Sequence, residues 1–210
     1  MLTPKQIKIF EAFLKQPYEE LTYRDIKDYS NEKSNSIIQK AILKFLEDDL
    51  VSKKEIGNMY LYGLNLKNNS TFSYFDILIN EKLPLIVKKT LKIIKEELAN
   101  TDFFSIVIFG SYAEGKQSQK SDLDVAFFVS SEREKRECEQ SLKSAELKSL
   151  LNVDYHVFTK NEMLQMLKDK QENLGKQIVH KHLAVHNPLI FYSIVQEGID
   201  NGFKVAYPKS

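Results

Sequence analysis

The sequence predicts an α/β (α+β) fold, in which a mixed sheet with flanking helices is preceded by a small, mostly helical domain. Two observations support this prediction. Helical hydrophobic spacing runs through residues 3–50, and an alternating pattern follows over residues 51–66. Farther along, apolar runs at residues 103–109 and 123–129 flank a polar connection, and another strand pattern follows at residues 151–159.

The composition is that of an ordinary globular protein. The 210 residues allow one domain or two small ones, with 42% hydrophobic and 28% charged residues. The net charge of +1 provides no global basic field for nucleic acid. A single cysteine, Cys138, excludes an internal disulfide or a thiolate zinc cluster. No signal-peptide core or apolar run of roughly 20 residues is present, so we expect a cytoplasmic protein without membrane contact.

The amino-terminal pattern predicts helices followed by a hairpin. Capping residues mark the helix starts, and a Gly-Asn pair marks the hairpin turn. The predicted elements are a helix over residues 3–15 that begins at Thr3 and Pro4, a short helix capped by Thr22, a helix over residues 35–50 and a hairpin that turns at Gly57-Asn58.

This order of elements resembles that of winged helix-turn-helix domains. The resemblance covers residues 1–66, and we expect the domain to occupy residues 1–75. It implies that the third helix enters a DNA major groove. The side chains offered there would be Asn35, Ser36, Gln39, Lys40 and Lys44. Residues 1–70 hold 11 basic and 10 acidic residues, whereas duplex binders neutralise several phosphates. A scaffold or protein-binding module therefore stays open as the alternative.

Residues 67–80 are polar to mixed in character and predict a connector, so we expect the second domain to cover residues 80–210. Apolar residues at helical spacing predict a helix over residues 83–100. A capping box from Thr159 to Glu162 predicts a helix directly after the last strand pattern.

Paired carboxylates stand at the start of the second apolar run. Asp122 and Asp124 are two residues apart, so on a strand they would share one face. Like charges on a buried strand repel and lose solvation, and a divalent cation such as Mg²⁺ offsets that cost. Gly110 allows close backbone approach to a phosphate, and a short helix at Ser111 would offer N–H donors. Hydrogen-bond donors for a phosphate beside acids that bind a metal form a layout for nucleotidyl transfer.

The stretch GSYAEGKQSQKSDLDVAFFV at residues 110–129 resembles the Gly-Ser…Asp-x-Asp signature of the DNA polymerase β-like nucleotidyltransferase superfamily. It is most similar to the small MNT-type enzymes. The resemblance implies a polymerase-β-like sheet, two Mg²⁺ ions, and transfer of NMP from an NTP, with ATP as the expected donor, to an acceptor hydroxyl. The implied site residues are Asp122 and Asp124 for the metal, and Gly110 and Ser111 for the triphosphate.

The resemblance also implies a third carboxylate on a neighbouring strand, and Asp154 in the pattern of residues 151–159 matches it. Its implied role is general base toward the acceptor hydroxyl or shared ligand of a second metal ion. One residue departs from the family pattern. Many relatives carry arginine where this chain has Glu114, and a glutamate cannot hold a substrate phosphate as an arginine could.

Other candidates each have a functional and a structural interpretation. His180, His182 and His186 lie close in sequence, and His182 and His186 could share a metal at i, i+4 on a helix face. The alternative is a packing or surface trio. Phe191 or Tyr192 could stack on a nucleotide base or pack in the core.

Three classes of function remain open from the sequence. The protein could be a DNA-tethered nucleotidyltransferase, a DNA-binding regulator that senses nucleotide, or an MNT-type antitoxin that acts on a HEPN-type partner. A homodimer is also open. The acceptor and the base preference are not specified by any motif in the chain.

Overall fold

The computed structural model describes residues 1–99, 104–118 and 120–205, and the chain divides into two compact units, Met1–Lys82 and Leu83–Ser210. The first unit ends at Lys82 and not at residue 75, because a helix that the sequence did not predict belongs to it. Among the described residues, no helix is both long enough and apolar enough to cross a membrane.

The first unit combines helices with a small antiparallel sheet of strand order β1-β3-β2. The predicted helices and hairpin are confirmed, while β1 was not predicted. The elements are α1 (Pro4–Lys15), β1 (Glu20–Thr22), α2 (Tyr23–Ser30), α3 (Asn35–Glu47), β2 (Val51–Ile56), β3 (Met59–Leu64) and α4 (Asn69–Lys82).

Local sequence signals determine the ends of these elements. Thr3 and Thr22 both form capping boxes with the third residue of their helices. Gly57 has φ +60° at the first position of the two-residue turn between β2 and β3, as a type II′ hairpin requires. The third helix ends before the predicted Leu50, because Asp49 adopts a left-handed conformation with φ 53°.

The connector predicted at residues 67–80 is wrong, since α4 occupies most of it. The first turn of α4 is polar and gives no sign of the apolar face that follows. On that face, Phe72 and Phe75 are buried at helical spacing. The ring of Phe75 packs 5.7 Å from that of Phe10 in α1, and Lys82 pairs with Glu11 at 2.8 Å. Tertiary packing on α1 thus makes a helix of a segment whose composition resembles a linker.

The second unit is built on a mixed four-stranded sheet of order β6-β5-β4-β7, and helices pack against it. This architecture confirms the predicted α/β (α+β) class. The elements are α5 (Leu85–Glu97), β4 (Ser105–Ile108), α6 (Gly110–Glu114), β5 (Leu123–Val129), α7 (Glu132–Lys148), β6 (Val153–Thr159), α8 (Lys160–Lys168), α9 (Leu174–His180), β7 (Leu183–His186) and α10 (Pro188–Asp200).

The strand β5 lies inside the sheet and is buried from Val125 to Val129. It pairs antiparallel with β4 and parallel with β6. The predicted strand at residues 123–129 is confirmed, and that at residues 151–159 is confirmed over Val153–Thr159. Of the predicted strand at residues 103–109, Ser105–Ile108 is confirmed and Phe103 lies outside the described residues.

Several other expectations also fall partly outside the described part of the chain. They concern the end of the helix predicted over residues 83–100, the connection that contains Gln119, and the last five residues of the predicted second domain. The remainder of that helix is α5, and the capping box at Thr159 begins α8 as predicted.

His182 lies between α9 and β7 and is buried against α10. Its Nδ1–H donates to the carbonyl oxygens of Ile178 and Val179, both at 3.1 Å, because a carbonyl can only accept. Its Nε2 then accepts a hydrogen bond from the hydroxyl of Tyr192 at 3.2 Å. These partners select the neutral ring, and burial lowers the pKa of His182 to about 4.

This neutral histidine predicts acid sensitivity of the fold. The unfolded chain takes up a proton at this residue near its ordinary pKa of about 6.5, whereas the folded chain resists protonation down to about 4. The free energy of unfolding should therefore fall as pH drops from 6.5 toward 4, by up to about 3 kcal/mol from this group. Denaturant unfolding across that range measures it. An equally steep pH dependence in His182→Gln would contradict the assignment.

Candidate active site

The site begins at Gly110, two residues after the end of β4. This residue has φ +63°, a left-handed conformation that favours glycine. A Cβ atom built on it would lie 2.1 Å from Oδ2 of Asp124. No side chain fits in that space, so the glycine lets the loop backbone lie directly against a carboxylate.

Ser111 follows in α6, a single short turn of helix. Its backbone N–H is near enough to the side-chain carboxylate of Asp124 to act toward a lower pKa of that group. The N–H of Phe109 donates to the backbone oxygen of the same aspartate at 3.1 Å. The loop after β4 is thus fixed to β5 through both the backbone and the side chain of Asp124. The helix predicted to start at Ser111 is confirmed, and it begins at Gly110.

Asp124 and Asp154 are direct neighbours across the parallel strands β5 and β6. Residues paired in this way point to the same face of a sheet, with strands about 4.8 Å apart. Phe128 and Phe158 each lie four residues after one of the aspartates and so on the same face of the sheet. Their rings contact each other at 6.0 Å. Phe128 also contacts Phe191 at 5.2 Å, so the aspartates lie on the face of the sheet on which α10 packs.

Asp122 occupies a different position from the one predicted. It precedes β5, which starts at Leu123, and its side chain is exposed. It is therefore not held on the buried strand beside Asp124. Its charge still reaches the site, because it raises the pKa of Asp124.

The pKa of Asp124 lies above its usual range. Burial is the largest cause, followed by the negative charges of Asp154 and Asp122. His156 and the N–H of Ser111 act in the opposite direction without cancelling the effect. The site therefore favours a positive charge beside Asp124. This agrees with the expectation that a cation offsets the repulsion among clustered carboxylates.

The donor set suits a hard cation held partly by substrate. Mg²⁺ commonly takes one or two carboxylates, with the other positions filled by water and phosphate oxygens. In the described parts of the chain, no three His, Cys, Asp or Glu side chains converge as a ready-made metal centre. Asp122, Asp124 and Asp154 thus fit a cation completed by substrate oxygens, and they do not form an all-protein cage.

His156 is a site residue to which sequence reasoning gave no role. Its Nε2 lies 3.6 Å from Oδ2 of Asp154, whose side chain is 59% exposed. The signal was present in the alternation Asp154-Tyr155-His156, which places the two polar residues on one face of β6. His156 also packs its ring against Phe109, beside the loop that carries Gly110.

Glu114, the residue that departs from the pattern expected from the resemblance, lies beside cationic neighbours. Lys116 pairs with it at 2.8 Å, and this hydrogen bond, aided by the charge of Lys181, lowers the pKa of Glu114. The Lys116 side chain is 77% exposed. The end of α6 therefore carries cations beside the unexpected glutamate.

A polar cleft of about 450 Å³ opens beside the carboxylates. Asp122 and Asp154 line it together with Glu146 at the end of α7 and the residues that connect α7 to β6. Two of the predicted site residues thus share one solvent-filled opening, through which a small molecule or a chain end can reach them.

The predicted histidine pair is wrong as a helical metal site. The helix α9 ends at His180, His182 follows it, and His186 ends β7. The i, i+4 spacing is therefore not on a helix. His182 is committed to the hydrogen bonds described above, and His186 contacts Phe104 at 4.9 Å between ring centres.

The two aromatic residues considered for stacking on a base, Phe191 and Tyr192, both pack in the core. Phe191 is 0% and Tyr192 is 1% exposed, so neither presents a free face to a base. The only cysteine, Cys138, is likewise buried in α7, and burial raises the pKa of its thiol to about 12. A thiolate nucleophile is therefore not part of this site.

Replacing Gly110 with alanine tests the loop–carboxylate contact. The added Cβ must displace Asp124 and also strain a left-handed backbone, so we expect a loss of about 1–3 kcal/mol in unfolding free energy. Gly115 has φ +69° but open space around its Cβ position, so Gly115→Ala is the matched control for strain alone. Denaturant unfolding of both variants measures the difference. Equal destabilisation would show that the contact with Asp124 contributes nothing.

Comparison with known families agrees with this geometry. Residues 87–179 match the family model described as a nucleotidyltransferase domain. A search of curated proteins finds no match, and a search of solved structures finds none. The matched segment contains the loop at Gly110 and all of the aspartates described above. The match over residues 87–179 supports transferase activity for the chain.

Proposed function

We propose that the second unit transfers NMP from an NTP, with ATP as the expected donor, to an acceptor hydroxyl and releases pyrophosphate. The observation that carries this proposal is the contact of the Gly110 loop with Asp124. It places backbone N–H donors, which suit phosphate, beside carboxylates, which suit a cation. A cytoplasmic setting, where nucleoside triphosphates are available, is part of the proposal.

The phosphates of the donor would lie against α6. Ser111 offers a hydroxyl, and the missing Cβ of Gly110 lets the loop backbone lie against Asp124. Lys116 beside Glu114 adds a positive charge at the other end of the same helix. These groups orient the triphosphate for attack at its α-phosphorus.

Asp122 and Asp124 would hold Mg²⁺, and two ions are expected. Completing the second set of ligands is the alternative to the role of Asp154 as the base. When bound, the metal supplies charge neutralisation for the triphosphate and for the attacking and leaving oxygens. The raised pKa of Asp124 supports this assignment, because a carboxylate crowded by like charges gains most from a cation.

Asp154 is placed to take the proton of the acceptor. The acceptor oxygen forms its bond to the α-phosphorus, the bond from that phosphorus to the bridging oxygen breaks, and pyrophosphate leaves with the electron pair. The hydroxyl proton passes to Asp154, whose exposed carboxylate lines the cleft described above. His156 at 3.6 Å positions this carboxylate.

For the first unit we propose a winged helix-turn-helix domain that tethers the enzyme to a partner. The element order and the sheet order β1-β3-β2 support it. Some of its lysines form ion pairs: Lys44 pairs with Glu47 and Asp48, and Lys54 pairs with Glu20. Because these pairs reduce the positive charge available to phosphates, we infer a protein partner and not duplex DNA. Tight, salt-sensitive retention of the full chain by duplex DNA would contradict this choice.

The MNT subtype and an antitoxin role with a HEPN-type partner stay predictions from sequence. A nucleotide-sensing regulator is separated from an enzyme by turnover, since only the enzyme releases pyrophosphate.

Asp124→Asn should keep the fold and remove most of the turnover. Asparagine has the same shape without the crowded charge, but it is a poor metal ligand, so we expect at least about a 100-fold loss in rate. Pyrophosphate release from each NTP in Mg²⁺, with a mixture of oligoribonucleotide and protein acceptors, measures it. The matched control is Asp28→Asn, because Asp28 is an exposed aspartate of the first unit that pairs with Arg24. Undiminished turnover in Asp124→Asn would refute the proposed role.

A further inference from the structure

A second cleft in the same unit has no role in the function proposed above. It has a volume of about 880 Å³ and lies among α8, α9 and the residues that follow α10. Its floor is formed where α8 and α10 pack most closely, because a Cβ atom on Gly198 would lie 2.6 Å from Leu167. None of Gly110, Asp122, Asp124 and Asp154 is among the described residues that line it.

A buried lysine lines this cleft. Lys176 is only 7% exposed, and its Nζ donates to the carbonyl oxygens of Asp169 at 2.6 Å and Gln171 at 2.7 Å. An ammonium group has three N–H donors. In the part of the chain that the structure describes, the partners of this Nζ are two carbonyl oxygens, and no carboxylate forms an ion pair with it. Burying a charge in that state is costly unless an anion compensates it.

The rim of the cleft adds positive charge. Lys168, Lys170 and Lys204 are exposed and line it, whereas only Asp169 and Glu172 oppose them. Together with Lys176, the lining lysines exceed the carboxylates by two charges. A cleft with a cationic anchor and cationic rim suits a phosphate group.

The cleft lies at the same end of the sheet as the Gly110 loop. His180 lines the cleft at the end of α9, four residues after Lys176 and so on the same helix face. Three residues later, Leu183 in β7 pairs with Ile108 in β4, two residues before Gly110. A ligand held in the cleft therefore lies near the end of the sheet at which the aspartates stand.

We propose that this cleft binds a phosphate group, with Lys176 as the buried anchor and Lys168 and Lys204 on the rim. The inference goes beyond the transfer reaction, since it depends on none of the residues assigned to that reaction. The phosphate could belong to the triphosphate of a nucleotide or to the phosphodiester backbone of an oligonucleotide, and both supply the same chemistry.

Calorimetric titration of the full chain with inorganic tripolyphosphate in EDTA tests the site. The chelator removes cation-dependent binding at the aspartates. Wild type should bind, and the pair Lys168→Gln/Lys204→Gln should bind about tenfold more weakly, since two charge contacts are lost. The matched control is Lys89→Gln/Lys143→Gln, which removes two exposed lysines from α5 and α7, outside the cleft. This control should bind within about twofold of wild type.

Lys176→Gln tests the anchor and should lose binding by at least about tenfold. Because it also disturbs two carbonyl partners, the rim pair decides the result if this variant does not fold. Titration with ATP and with an eight-nucleotide RNA identifies the source: the ligand whose affinity falls in the rim pair is the one that occupies the cleft. Absence of tripolyphosphate binding to wild type, or equal weakening by the control pair, would overturn the proposal.

Discussion

The close approach of Gly110 to Asp124 is the contact on which the rest of the site depends. It is possible because residue 110 lacks a Cβ atom and adopts a left-handed backbone. The same contact brings the N–H of Ser111 near the carboxylate, where it acts toward a lower pKa of Asp124. The loop at Gly110 and the start of β5 are thereby in direct contact.

Electrostatic repulsion is the cost of this arrangement. Asp124 and Asp154 are paired across parallel strands, and Asp122 adds a third negative charge from the exposed segment before β5. The pKa of Asp124 is raised as a result. Such a cluster of like charges lowers the stability of the fold. In a site that binds a cation and a polyphosphate, the same charges would contribute to binding.

Local sequence signals predicted β5 and the short helix at Gly110 well, because the apolar run of β5 and the Gly110-Ser111 pair favour these elements without help from distant contacts. They failed where tertiary contacts decide. The polar start of α4 hid its packing on α1. His182 and His186 suggested a helix, yet pairing with β4 makes a strand of Leu183–His186. The i, i+2 spacing of Asp154 and His156 does place both on one face of β6, but the packing of His156 against Phe109 depends on the tertiary structure.

The most direct test of the account is calorimetric titration of ATP, GTP, CTP and UTP in Mg²⁺, on wild type and on the double variant Asp122→Asn/Asp124→Asn. The account predicts metal-dependent binding of at least one nucleotide by wild type and its loss in the double variant, because the carboxylates hold the cation that the triphosphate shares. Equal affinity of both proteins, or no binding by wild type, would contradict it.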